Sequence, residues 1–199
     1  MVTALVLTVA VVVFRLGAAL SGAEVAGAVA NFSPVGALVL CAAIFFPQRW
    51  AAVIPFATLV LSDLILNLHY GHPPLTLYSV VLVVTFGVIF MGGKRLRGLA
   101  RLDAKCGVPV TMGAAVLSSL FFSLATNTFA FAVSPVYPPS VAGWWQCLTT
   151  GTPGFPPTYL FLRNTLVGDL FFTCLFLLAL RPFVKVQQDI LFAPANSDL

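Results

Sequence analysis

Long apolar runs, broken at intervals by Pro, Gly, Asn and a few charges, set the pattern of this chain. Six runs are long and uniform enough to read as helices, at about 2–20, 34–46, 51–66, 75–91, 108–133 and 161–180. Ser33 is placed to cap the second, with Pro34 in its first turn. At 1.5 Å per residue that helix reaches about 20 Å, short of the ~30 Å hydrocarbon core of a bilayer. The third is also short, and Pro55 kinks it unless it falls in the first turn. Two short neighbours leave room for a cavity at one membrane face. Gly92-Gly93 is expected to end the fourth helix and Arg181-Pro182 the sixth, leaving 184–199 as a polar tail. The longest stretch outside these runs, 134–159, carries six prolines together with Tyr137, Trp144 and Trp145. Within it Ser140 is placed to cap a short helix at 141–149 that Gly151 ends, and the segment reads as a lid with its tryptophans at the membrane interface.

Composition turns this pattern into a class. Of 199 residues, 60% are hydrophobic and 8% charged, against roughly a quarter charged in soluble domains. The expected fold is an all-α membrane protein, a single-domain bundle of six transmembrane helices. The net charge of +4 does not point to nucleic acid, because five of the ten basic residues fall in the run from Lys94 to Lys105, which is a topology signal. Arg49, that run, and Arg181 with Lys185 all lie on one side of a six-helix chain, so that side is cytoplasmic and both termini lie inside. The stretch Ala28-Val29-Ala30 resembles a signal-peptidase site, but no basic residue precedes the apolar run, so the first helix is expected to be retained. The small-residue segment 21–30 crosses the interface as a loop or a closely packed helix. Cys41, Cys106, Cys147 and Cys174 form no CxxC pair and no disulfide framework is expected.

Candidate chemistry gathers at the outer end. Asp63 is a lone carboxylate among Val, Leu and Ile, and such a residue is a functional-site candidate by default. Asn67 shares its helix face, His69, Tyr70 and His72 follow at the helix exit, and Tyr78 lies one turn into the next helix. Asn31 and Ser33 sit at the mouth of the second helix, Asn127 near the outer end of the fifth, and Arg163, Asn164 and Asp169 in the outer half of the sixth. Together they form one polar pocket under a lid around Trp144. Structural roles compete with this reading: Asp63 pairs with Arg15 or Arg163, the asparagines join helices, and Asp169 pairs within the bundle. His69-x-x-His72 lacks a third ligand and helical spacing, so no metal and no cofactor are expected. LVLSDL (59–64) and LVGDL (166–170) look alike, but the halves around them do not match. No GxxxxGK[ST], HExxH or GxSxG motif occurs, so no enzyme is expected.

NFSPVGALVL, LVLSDLILN and NTLVGDLFF resemble a family of small uncharacterised bacterial membrane proteins, itself similar to the substrate-binding S components of energy-coupling factor (ECF) vitamin transporters. The similarity covers about 31–176. It implies six helices in the bacterial inner membrane, a pocket near the outer surface with capping loops, and vitamins, their precursors or metal ions as substrates. The solitary cobalamin-uptake proteins, BtuM-like, are similar in size. The cysteine near their third-helix loop is missing here, which leaves His69 or His72 as the axial cobalt ligand if cobalamin binds. S components meet an ECF-type energising module through small residues on the first helix. Here Ala19-x-x-x-Ala23 and Ala26-x-x-x-Ala30 lie at the opposite end, and Ala4-x-x-x-Thr8 is only a weak match. The expected function is therefore binding and uptake of a small molecule, a vitamin or cofactor precursor with cobalamin as the leading single candidate. The alternatives are a proton-coupled carrier using Asp63 and Asp169 as relay carboxylates, and a non-catalytic structural membrane subunit.

Overall fold

A computed structural model describes residues 2–21, 30–102 and 104–191, and all the secondary structure among them is helical. The helices are α1 (Val2–Leu20), α2 (Val35–Phe45), α3 (Gln48–Ala51), α4 (Val53–His69), α5 (Leu77–Leu102), α6 (Ala104–Val133), α7 (Val141–Leu148) and α8 (Thr158–Leu191). Among the described residues four stretches are long and apolar enough to cross a membrane: Gln48–His69, Leu77–Arg101, Cys106–Val133 and Thr158–Leu180. Thr8–Leu20 and Val35–Phe45 are shorter apolar helices, so four of the six expected spans are shown to be long enough.

The centre of the bundle is α2. All ten residues from Val35 to Ile44 are buried, which requires an apolar side chain on every face, and the sequence VGALVLCAAI supplies it. A helix of 11 residues is about 16 Å long, so it sits wholly inside a jacket formed by α1, α4, α5, α6 and α8. Its ends are met by charged side chains from two of those neighbours. At the C-terminus, Arg97 of α5 donates from Nε to the Ile44 carbonyl at 3.1 Å and from its guanidinium to the Phe46 carbonyl. At the N-terminus, Asp169 of α8 accepts the backbone N–H of Ala37 and lies against Gly36. A cation at the C-terminus and a carboxylate at the N-terminus both oppose the helix dipole and satisfy backbone groups that a short buried helix leaves without partners.

Several boundaries differ from the sequence expectation, each for a local reason. The fourth predicted helix does not stop at Gly92-Gly93 but continues to Leu102. Gly93 faces α2, where a Cβ would lie 2.8 Å from Ala43 Cβ and 3.2 Å from Leu40 Cδ1, so this glycine allows two helices to approach rather than ending one. α4 starts two residues later than expected and ends three later, at His69. Pro55 lies in its first turn, where its missing N–H has no intrahelical acceptor to lose. Its C-terminus is a Schellman turn: Gly71 has φ +72°, its N–H bonds Leu68 O at 3.2 Å, and the His72 N–H bonds Asn67 O at 2.8 Å. α8 runs through Arg181-Pro182 to Leu191, so the first part of the expected polar tail is helical. The remainder, 192–199, and most of the small-residue segment, 22–29, lie outside the described residues.

The proline-rich segment holds its expected helix. Ser140 caps α7 by accepting the Gly143 N–H at 3.1 Å, and Gly151 closes it with φ +70° and an N–H bonded to Gln146 O. Trp144 Nε1 donates to Thr128 Oγ1 at 3.0 Å, and the Cys147 thiol, whose pKa burial pushes up, faces Asn127 O at 3.3 Å. All four cysteines are free thiols. Ser140→Ala removes the cap and is expected to lower stability by about 1 kcal/mol, read as a lower denaturation midpoint of the detergent-solubilised protein. An unchanged midpoint would show that the Trp144 and Cys147 contacts alone hold α7.

Candidate functional site

Beside the N-terminus of α2 lies a cavity of about 380 Å³ walled by α1, the 30–33 turn, α2, α4, α5, α6 and α8. The turn is fixed first. Asn31 adopts φ +63°, the left-handed region that asparagine tolerates, and the Asn164 side chain donates to Ala30 O at 3.0 Å. The Phe32 ring packs among Phe14, Phe171 and Phe172 at centroid distances of 5.4 to 6.2 Å. Gly168 lets the chain press close, since a Cβ there would meet Phe32 and Ser33 at 3.3 Å. Fewer than two turns of α8, from Asn164 to Asp169, thus dock the whole stretch from Ala30 to Ala37. The SPVGAL and NTLVGDL blocks are the two faces of a single contact.

Asp169 is 5% exposed and sits on the cavity wall. Ser119 Oγ of α6 donates to its Oδ2 at 2.7 Å, and Gly36 makes room for the carboxylate. At the other side of the cavity Asp63 forms an ion pair with Arg15 at 3.5 Å, both side chains less than one-fifth exposed. Ser79 Oγ donates to Asp63 Oδ2 at 2.5 Å, Asn67 Nδ2 approaches the same oxygen at 3.4 Å, and Arg15 also reaches Ser62 Oγ at 2.9 Å. The apolar wall includes Leu59, Leu82, Phe86 and Phe122, the last two rings stacked with centroids 5.2 Å apart.

Of the residues singled out from sequence, Asn31, Ser33, Asp63, Tyr70, Tyr78 and Asp169 line this cavity. The others stand outside it. Asn67 braces Asp63 from behind and also bonds Ser79 and Pro74 O. The His69 ring packs edge-on against Tyr70 at 5.1 Å, and both His69 and His72 are exposed, because the Schellman turn carries the chain away from the wall. Among the described residues no group of three His, Cys, Asp or Glu side chains is placed to hold a metal. Asn127 bonds Ser123 one turn back, at 2.8 Å to its carbonyl. Asn164 holds Ala30 O and accepts from the Arg163 guanidinium, which does not pair with Asp63. Trp144 points to Thr128, and α7 packs on α6 and α8, so it does not close the cavity as a lid. The described rim is formed instead by Ala18, Ala19, Ala30, Asn31 and Tyr70, with the Tyr70 hydroxyl donating to Ala19 O at 3.2 Å.

Arg15 and Ser79 are the functional-looking residues that the outer-end constellation does not include. Arg15 carries a signal, as a lone cation in an apolar helix. Ser79 carries none, since serine is ordinary in such a helix.

A family model described as a family of unknown function, DUF6580, matches residues 1–189. No curated protein and no solved structure matches the chain.

Proposed function

Because this chain belongs to the DUF6580 family, whose function is unknown, its role must be read from the cavity, and we propose that it is a membrane protein that binds a small molecule for uptake. The observation that carries the reading is convergence. Arg15, Asp63, Tyr78, Asn31 and Asp169 come from separate parts of the chain to one cavity whose other walls are aliphatic and aromatic. A mostly apolar cleft with a few fixed polar groups, at the lower end of the usual ~300–1,000 Å³ range, is the form that small-molecule sites take. The positive run that begins in the last turns of α5 supports a bacterial inner-membrane topology with cytoplasmic termini, α1 and α2 serving as the two short members of a six-helix set. The resemblance of SPVGAL and NTLVGDL to a family of small uncharacterised bacterial membrane proteins, itself similar to ECF-type S components, supports a vitamin or precursor as ligand, with an ECF-type module as energising partner.

Size and placement narrow the candidate. Cobalamin, a corrin macrocycle with a nucleotide loop, is far larger than about 380 Å³, and neither His69 nor His72 lines the cavity to reach a cobalt ion. We therefore favour a single-ring or two-ring molecule. Mass spectrometry of the detergent-solubilised protein is expected to find such a molecule co-purifying. A saturating vitamin or precursor, at about 100 times its Kd, should add about 2.7 kcal/mol of stability, and Leu82→Trp, which fills the cavity, should weaken binding at least tenfold. An empty protein unmoved by any member of a broad panel would refute the reading.

One observation favours a second reading. Asp63 and Asp169 line the same cavity, which suits a proton-coupled carrier. That reading requires pH-gradient-driven uptake in liposomes that Asp63→Asn abolishes, whereas a binding protein retains its ligand in the absence of any gradient.

A further inference from the structure

We propose that the ligand carries a positive charge and that this charge is received by Asp169. The inference rests on reading the cavity as a ligand site, and concerns which class of molecule enters it.

Among the described residues three charged side chains line the cavity: Arg15, Asp63 and Asp169. Arg15 and Asp63 form a neutral pair at 3.5 Å. Asp169 in its ionised form is then the group whose charge is not matched, since among the described side chains no Lys, Arg or His forms an ion pair with it. The N-terminus of α2 offsets about half a unit charge, leaving the rest. An ionised carboxylate accepts about four hydrogen bonds. Ser119 Oγ and the Ala37 N–H supply two, and the acceptor positions left over belong to a group on the cavity wall. A carboxylate enclosed in a membrane bundle is stabilised by a partner cation, and the space in front of Asp169 is the place for one to come from the ligand. The rings of Phe32, Phe86 and Phe122 line the same cavity, and aromatic faces attract a desolvated ammonium. An anionic ligand would meet two carboxylates and one guanidinium that is already engaged. The class is thus a small amphipathic amine, quaternary ammonium or protonated ring nitrogen.

The test uses the protein in a non-ionic detergent with three probes of similar size and different charge: 2-phenylethylamine, 2-phenylethanol and phenylacetate. Unfolding temperature is followed against probe concentration. The amine is expected to reach half-saturation at a concentration at least tenfold below that of the alcohol, with no shift from the carboxylate. In Asp169→Asn the amine and alcohol should fall within threefold of each other. Equal response of the wild type to amine and alcohol, or a stronger response to the carboxylate, overturns the cationic class and leaves the cavity reading standing. If no probe shifts the protein, the charge of any co-purifying molecule decides: a cation supports the proposal, and a neutral or anionic molecule overturns it. No response and no co-purifying molecule would remove the cavity reading itself. Should Asp169→Asn fail to fold, the wild-type charge series decides alone.

Discussion

Gly36→Ala is expected to destabilise the protein by about 3–5 kcal/mol, although it adds one methyl group. The added Cβ would lie 3.0 Å from Cγ and Oδ2 of Asp169 and closer still to Oδ1. One of the two must move. α2 cannot yield, because Val35 to Ile44 are buried on all sides by α1, α4, α5, α6 and α8. Asp169 can move only by giving up Ser119 Oγ at 2.7 Å and the Ala37 N–H. Overpacking costs roughly 1–3 kcal/mol, and losing hydrogen bonds to a charged group adds about 1.5–3 kcal/mol. Equilibrium unfolding in detergent measures the loss. A double-mutant cycle with Asp169→Ala identifies its cause: if the clash dominates, the double variant is at least 1 kcal/mol more stable than the two single losses predict. A midpoint for Gly36→Ala within about 0.5 kcal/mol of wild type would mean that α2 slides freely and that its close fit to α8 matters little.

The second large effect is at the other end of the same helix. Arg97→Met keeps the aliphatic stem but removes the donors to Ile44 O and Phe46 O. Ile44 is 0% exposed and Phe46 2%, so water does not readily replace the guanidinium. Two buried acceptors lose charge-assisted partners and the C-terminal dipole loses its cation, an expected cost of about 2–4 kcal/mol. Arg95→Met, two residues earlier on the exposed side of α5, serves as the control and should change stability by less than about 0.5 kcal/mol. Equal effects of the two variants would show that membrane-surface charge, rather than the contact with α2, explains the loss.

The sequence carried the local chemistry well and the tertiary chemistry unevenly. Ser140 and Gly151 could be read because a cap or a left-handed turn is decided by the residue itself and its near neighbours. Gly92-Gly93 misled because a glycine pair after an apolar run resembles a helix end, and only the neighbouring Leu40 and Ala43 reveal that Gly93 serves a close approach. The basic run looked like a topology marker alone, yet Arg97 within it reaches into the core. His69 and His72 were drawn into the site by nearness to Asp63 along the chain, and a turn that reverses the backbone takes them out. Trp144 was drawn in by the length of its loop, and its bond to Thr128 holds it over α6 instead. Asp63 and Asp169 were legible because a carboxylate in an apolar run has few explanations. Arg15 was one of the two cations expected to pair with Asp63, whereas Ser79, and for Asp169 Ser119 and the head of α2, lie 16, 50 and over 130 residues away along the chain, beyond any periodic signal.

The two charged contacts on α2 also impose an order on its making. The helix is translated before both of its charged partners: Arg97 follows it by about fifty residues and Asp169 by well over a hundred. At about 16 Å it is too short to sit across a bilayer of ~30 Å by itself. A nascent chain that has not yet delivered α8 therefore holds an apolar helix with an open head and no finished enclosure. Of the helices that enclose α2, α8 is translated after the others, so the head of α2 is closed by the latest of its neighbours to arrive. A chain truncated before Asp169 is an unfinished vessel, exposed to membrane proteases in a way that the complete protein is not.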